Sequence, residues 1–191
     1  MAYGFTAIGV AQIIAWIVVV ILAVDFLSGV FHWLEDSYAR PETPVLGRFV
    51  VNPNIIHHHH PRDFVKSPFW HRNIVTAMLG GIVFVLAAAT MGITWQLILL
   101  CGIGAFCNEF HCWAHRSAEE NGAVITALHR LRILQTPRHH ATHHTDPKNR
   151  AYCVLTNYTN PVLDSRGAGG GILLDLGGAG GETLEMLKRH H

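Results

Sequence analysis

Residues 5–24 form a run of twenty uncharged, mostly apolar positions, interrupted only by Thr6, Gln12 and small residues. At about 1.5 Å per residue such a run makes a helix of about 30 Å, the hydrocarbon thickness of a bilayer. No Lys or Arg precedes it and no small-residue cleavage site follows, so the pattern predicts a retained transmembrane helix. Asp25 closes the run, but residues 26–34 stay compatible with helix. The helix is therefore expected to continue a few turns, with His32 and Asp36 (i,i+4) on one face. Residues 35–73 are polar and broken by Pro41, Pro44, Pro53, Pro61 and Pro68. Residues 74–108 then carry no charge over thirty-five positions, too many for one crossing. Thr90-Met91-Gly92 offers a break, which predicts a hairpin with arms 74–89 and 93–108. A single span followed by a buried or re-entrant helix is the other reading. Residues 124–134 set Arg130 and Arg132 beside apolar positions and predict a helix lying on the membrane surface. From Ser165 onward eight glycines fall between Gly167 and Gly181, the composition of a flexible tail with room for a short helix at 182–189. The expectation is an all-α integral membrane protein of about three transmembrane helices plus an interfacial helix, with its polar stretches as cytoplasmic loops whose histidine boxes form a di-metal site, its domain spanning 1–164 and its tail 165–191.

Composition supports the membrane reading. Half of the 191 residues are hydrophobic and 14% are charged, which leans away from a water-soluble globule. A net charge of +1 leaves no basic footprint for nucleic acid. Cys101, Cys107, Cys112 and Cys153 form no CxxC pair and read as reduced, small apolar fillers, although Cys112 lies among histidines. No Lys or Arg lies before the first span, five lie in the first polar stretch, none in the hairpin and nine after it. The positive-inside rule then places the N-terminus outside and both polar regions in the cytoplasm.

Histidine changes the picture most, with fifteen copies against fourteen Lys plus Arg. Thirteen lie in or beside the two polar regions, on one expected side, whereas His190 and His191 end the tail. Four clusters stand out: His32 with Asp36, His57-His58, His111 with His115, and His140 with His143-His144. Residues 137–147 alone hold four imidazoles within six positions, and HxxxH or HxxHH on a helix points rings along one face. Eight neutral nitrogens exceed the needs of one structural or catalytic zinc and suit two metals at about four ligands each. The Glu and Glu-x-x-His pairs of soluble carboxylate di-iron bundles are missing. On ligand softness alone, Fe, Zn and Cu all remain open. His59, His60, His71, His129 and His139 are left as surface residues or outer partners. Asp36 and Asp146 are candidates for carboxylates that orient ligand imidazoles.

Several motifs carry a resemblance. They are Ser28-Gly29-x-x-His32-Trp33-x-x-Asp36, His57-His58-x-x-Pro61, Asn108-x-x-His111-x-Trp113-x-His115 and Pro137-x-x-His140-x-x-His143-His144, with Tyr152-Cys153 and Asn160-Pro161-x-Leu163-Asp164 as echoes. In order and spacing, over residues 25–164, they resemble the Kua or CarF-type lipid desaturase family. That family includes the plasmanylethanolamine desaturases and a plant plastid palmitate desaturase. The resemblance implies a membrane enzyme with two Fe ions and O₂ as co-substrate, supplied with electrons by a cytochrome b5- or ferredoxin-like carrier. Its metal ligands would be His32, His57, His58, His111, His115, His140, His143 and His144, with no catalytic residue beyond them. Asp36, Asn108 and Asp146 would stand behind those ligands, and a phospholipid alkyl or acyl chain would be the substrate. Residues 61–73 depart from the animal plasmalogen branch and leave the lipid open. A lipid hydroxylase with the same site, and a His-rich membrane metal transporter or sensor, are the alternatives.

Overall fold

The computed structural model describes residues 7–164, and over these the chain is helical with irregular connections and no strand. The predicted tail, its short helix and His190 and His191 lie outside the described residues. The first helix, α1, runs unbroken from Ala7–Tyr38, about 48 Å at the α-helical rise. It therefore continues past the apolar run for longer than the pattern alone required. On its outer face Ile14, Trp16 and Val19 are each about half exposed, apolar surface that hydrocarbon rather than water would cover. Its inner face buries Val20 and Val24 against Val154 and Leu155, with Leu99 and Leu100 packed beside them.

The stretch read as a proline-broken loop is largely helical. A π-helical turn at Gly47–Val51 leads into α2 (Asn52–His59), and α3 (Pro61–Lys66) follows after His60. Pro53 and Pro61 fall in the first turns of these two helices, where a missing N–H costs nothing. The prolines punctuate short helices here rather than preventing them, so His57 and His58 sit on a helix and not on a loop.

The expected hairpin is present, with shifted limits. Helix α4 (Phe69–Met91) begins five residues before the expected arm and stops at Gly92, whose φ of 78° ends it. The Thr94 hydroxyl accepts from Leu97 N and opens α5 (Trp95–Ala105). The return arm then bends by 44° at Phe106 into α6 (Cys107–His115). Among the described residues, two helices are long and apolar enough to cross a membrane, and three if the bent pair is one span. A Cβ at Gly80 of α4 would lie 3.2 Å from the Cys101 carbonyl and 3.4 Å from Ala105 Cβ, so glycine lets the arms pack closely there. Arg72 and Glu109, both well buried, pair at 2.7 Å and tie the start of α4 to α6.

Helix α7 (Ala118–Arg130) opens with a capping box between Ser117 and Glu120, kinks at Gly122 (φ 71°) and ends four residues before the predicted limit. It leaves Val124 and, just beyond it, Leu131 about 70% exposed, the apolar face expected of a surface helix. A single turn, α8 (Pro137–His140), and α9 (Thr159–Leu163) flank the buried segment 151–156. That segment is stapled to α1. The Asp25 carboxylate accepts from Leu155 N (2.8 Å), Thr156 Oγ1 (2.5 Å) and Thr159 Oγ1 (2.7 Å). The segment passes so close to α1 that a Cβ on Gly29 would collide with the Cys153 sulfur. Thus α1 runs toward one end of the bundle, α4 runs away from it, and α5–α6 return to it.

Candidate metal centre

That end collects the histidines. His32 and Asp36 lie in the last turns of α1, His57 and His58 end α2, and His111 and His115 lie one turn apart on α6. His140 closes α8, with His143 and His144 in the turn beyond it. The eight imidazoles fall into two groups. One contains His57, His111, His115, His140 and His144; the other contains His32, His58, His143 and Asp36, and within each group one ligand atom per residue lies within 4.8 Å of the rest. The expected even division into four and four is therefore five histidines against three histidines and a carboxylate. The reason is local. His140 and His144 turn the same way, while His143, between them, points to the other group.

In the five-histidine group the Nε2 atoms converge. His57 and His111 are 3.0 Å apart, His111 and His140 2.9 Å, His140 and His115 2.9 Å, and His115 and both His57 and His111 3.2 Å. His144 Nε2 lies 3.2 Å from His140 Nε2. These contacts cannot all be hydrogen bonds. In any triangle of nitrogens, such as His57–His111–His115, two must share the same role as donor or acceptor. Lone pairs directed at a common cation resolve the conflict. With metal–nitrogen distances of about 2.1 Å, adjacent ligand nitrogens on an octahedral centre are about 3.0 Å apart, and on a tetrahedral one about 3.4 Å. Burial holds His57 and His140 far below the ordinary imidazole range, with the neighbouring His115 adding to it. His144 is pushed down to about 2, again mainly by burial. These three rings are neutral at physiological pH and offer lone pairs.

The second group is set from behind. His32 Nδ1 donates to the Tyr152 carbonyl (3.1 Å) and His143 Nδ1 to the Arg150 carbonyl (2.8 Å). A carbonyl only accepts, so both Nε2 atoms carry lone pairs directed inward, and both are buried without a hydrogen-bond partner. The Asp36 carboxylate faces them, 3.1 Å from His58 Nε2, 3.4 Å from His143 Nε2 and 3.9 Å from His32 Nε2. Asn54 Nδ2 holds its Oδ1 at 2.6 Å. This donor set fits a metal ion at the focus of the three nitrogens and the carboxylate.

The remaining predicted positions are placed differently. Asp36 faces the ring nitrogens aimed inward rather than standing behind them. Asn108 donates to the Arg72 carbonyl at 2.7 Å and lines the cavity described below. Asp146 is 76% exposed, 3.9 Å from Lys148 Nζ, and belongs to neither group. His139 also stands outside both groups, its backbone N–H bonded to Thr136. All four cysteines are free, with Cys112 fully buried outside both groups. Sequence reasoning missed the carbonyls of Arg150 and Tyr152, because a backbone acceptor leaves no trace in side-chain patterns.

A cavity of about 310 Å³ opens between α1, α4 and α5–α6. His32, His57 and His111, drawn from both groups, form one end of it. Near them the wall is polar, with Glu35, Asn54, Arg72 and Asn108; farther along it is Val24, Leu27, Leu79, Val83 and Leu100.

The model of the lipid desaturase domain matches residues 21–168. Plasmanylethanolamine desaturase of Myxococcus xanthus is 30% identical over 152 residues, 74% of this chain and 52% of the relative. Fatty acid desaturase 4, chloroplastic, of Arabidopsis thaliana is 31% identical over 146 residues, covering 73% of this chain and 44% of the relative. Plasmanylethanolamine desaturase 1 of Mus musculus is 25% identical over 157 residues, covering 75% and 57%. The chain spans about half the length of these relatives. No solved structure matches it.

Proposed function

The chain belongs to the lipid desaturase domain family, and from that premise we propose that it is an O₂-dependent membrane desaturase acting on a phospholipid alkyl or acyl chain. The observation that carries the proposal is the cavity: an apolar slot whose one end is made by histidines of both groups. Its surface is mostly apolar, and away from the histidines it accepts a hydrocarbon chain. Two iron ions are the proposed cofactor, held by His57, His111, His115, His140 and His144 and by His32, His58, His143 and Asp36. When bound they supply the redox chemistry with O₂ that unactivated C–H bonds require. The overall reaction removes two hydrogens from adjacent carbons. With two electrons from a reduced carrier of the cytochrome b5 or ferredoxin type and two protons, both oxygen atoms leave as water.

The protein's own part is ligation and alignment. Carbonyls of Tyr152 and Arg150 fix the tautomers of His32 and His143. Asn54 orients Asp36. The Arg72–Glu109 pair, extended to Arg116 at 3.3 Å, locks α6 to α4 and so fixes His111 and His115 against the cavity. The polar wall beside the histidines accommodates the head-group end of the lipid, with the tail running between the helices. Both polar regions, and with them the site, face the cytoplasm, and the N-terminus lies on the other side.

Lipid mass spectrometry of cells with and without the protein, in a host that supplies O₂ and electron carriers, tests the proposal. A phospholipid species two mass units lighter is expected, absent with His111→Ala. An added oxygen would instead identify a hydroxylase, and an unchanged lipid profile would overturn the assignment.

A further inference from the structure

Three stripes of residues line the cavity: Val24, Ser28, Phe31 and His32 on α1; Val75, Leu79 and Val83 on α4; Leu100, Gly104 and His111 on α5–α6. At about 1.5 Å per residue, the distances from His32 to Val24 and from Arg72 to Val83 make the slot about 12–16 Å deep, room for on the order of ten methylenes. Two glycines sit in this wall and differ in kind. Gly80 is filled from behind by Cys101 and Ala105, so its missing side chain serves the contact between α4 and α5. At Gly104, which is half-buried, a Cβ would meet nothing within 4 Å. The space beside it is the cavity itself. Gly104 lies midway along the α5–α6 wall, between His111 at the histidine end and Leu100 toward the far end. About one helical turn of slot, from Gly104 to Leu100, thus depends on one absent side chain.

We infer that Gly104 sets how far a lipid chain enters the slot, and hence the chain lengths that bind with the reacting carbons at the histidines. The inference rests on the desaturase reading for its ligand, but the slot's depth is a property of binding and can be read without turnover. A leucine side chain carries four carbons, so in a close-packed slot it displaces on the order of three or four methylenes of ligand. Each methylene kept out of the protein loses roughly fourfold in affinity. Gly102 supplies the control. It is on the same helix, exposed, absent from the cavity wall and equally free of neighbours within 4 Å, so Gly102→Leu makes the same chemical change on the outer face.

The test uses the full chain purified in detergent. Binding of a series of n-alkyl glycerol ethers of increasing length is measured by competition with a fluorescent alkyl probe. Wild type and Gly102→Leu should gain affinity with each added methylene up to the same plateau. Gly104→Leu should reach its plateau about three or four methylenes earlier, and Gly104→Ala about one earlier, with thermal melts checking that each variant folds. Equal plateaus for Gly104→Leu and wild type, or an equal shift with Gly102→Leu, would overturn the inference. The same proteins are then given O₂ and a chemical reductant. The expected shift in binding without unsaturated product would refute the desaturase reading and leave the inference standing. Product with unshifted binding would do the reverse.

Discussion

Replacing Asp25 by alanine should loosen the centre from a distance. The carboxylate is fully buried and accepts from Leu155 N, Thr156 Oγ1 and Thr159 Oγ1 at 2.5–2.8 Å. Hydrogen bonds to a charged group contribute about 1.5–3 kcal/mol each, and alanine leaves buried donors unpaired. The bonds share one acceptor and are not additive, so the net loss is about 3–5 kcal/mol. At about 2–4 °C per kcal/mol for a chain of this size, the melting temperature should fall by about 10 °C. Thr159→Val removes one of the three bonds and should cost about 1 kcal/mol. The functional consequence follows the chain. Segment 151–156 carries the Tyr152 carbonyl that holds His32, and Arg150, just before it, holds His143. Asp25→Ala should therefore empty the Asp36 group before the five-histidine group. Thermal unfolding in detergent, with metal content measured on the same samples, is the assay. A shift under about 2 °C with metal content unchanged would refute this reading of the staple.

Gly29→Ala should destabilise the protein by about 1–3 kcal/mol, because the new methyl meets the Cys153 sulfur, whereas Gly81→Ala, with open space beside it, should not. Thermal melts of the two variants decide between these outcomes. Acid should destabilise the metal-free protein. The folded pKa values of His57, His140 and His144 are depressed by burial, so their contribution is fully present above the ordinary value of 6.5 and is lost as pH falls below it. A melting temperature that rises on acidification from pH 7 to pH 5 would contradict that sign. His139→Ala should leave bound metal unchanged, since that ring belongs to neither group, while His140→Ala should not. Metal loss equal in the two would mean that the grouping is wrong.

Much of the fold was legible because bilayer thickness is a strict ruler. The uncharged runs at 5–24 and 74–108 located α1 and the α4–α5 hairpin, including the break beside Gly92. The bend at Phe106 was missed: Gly102 and Gly104 just before it weaken the helix, but the uncharged apolar run continues to 108 without a proline, and the pattern reads as one arm. The short helices α2 and α3 were hidden by prolines whose first-turn positions become apparent only once the helices are placed. The histidines were legible as clusters, because His111 and His115, and His140 and His144, keep helical spacing. Their division into two groups was not, because it depends on the turn after α8 sending His143 one way and His144 the other. Asp36 was visible one helical turn from His32, but only the inward position of its carboxylate, held by Asn54, makes it a ligand candidate.

The most direct test is the metal stoichiometry of the purified chain and its variants, read by elemental analysis per mole of protein. Wild type should hold two iron ions. His140→Ala should lose the ion of the five-histidine group, and Asp36→Ala or His143→Ala the other, each keeping about one. A wild-type chain holding a single ion or none, or metal content indifferent to these substitutions, would contradict the two-centre site.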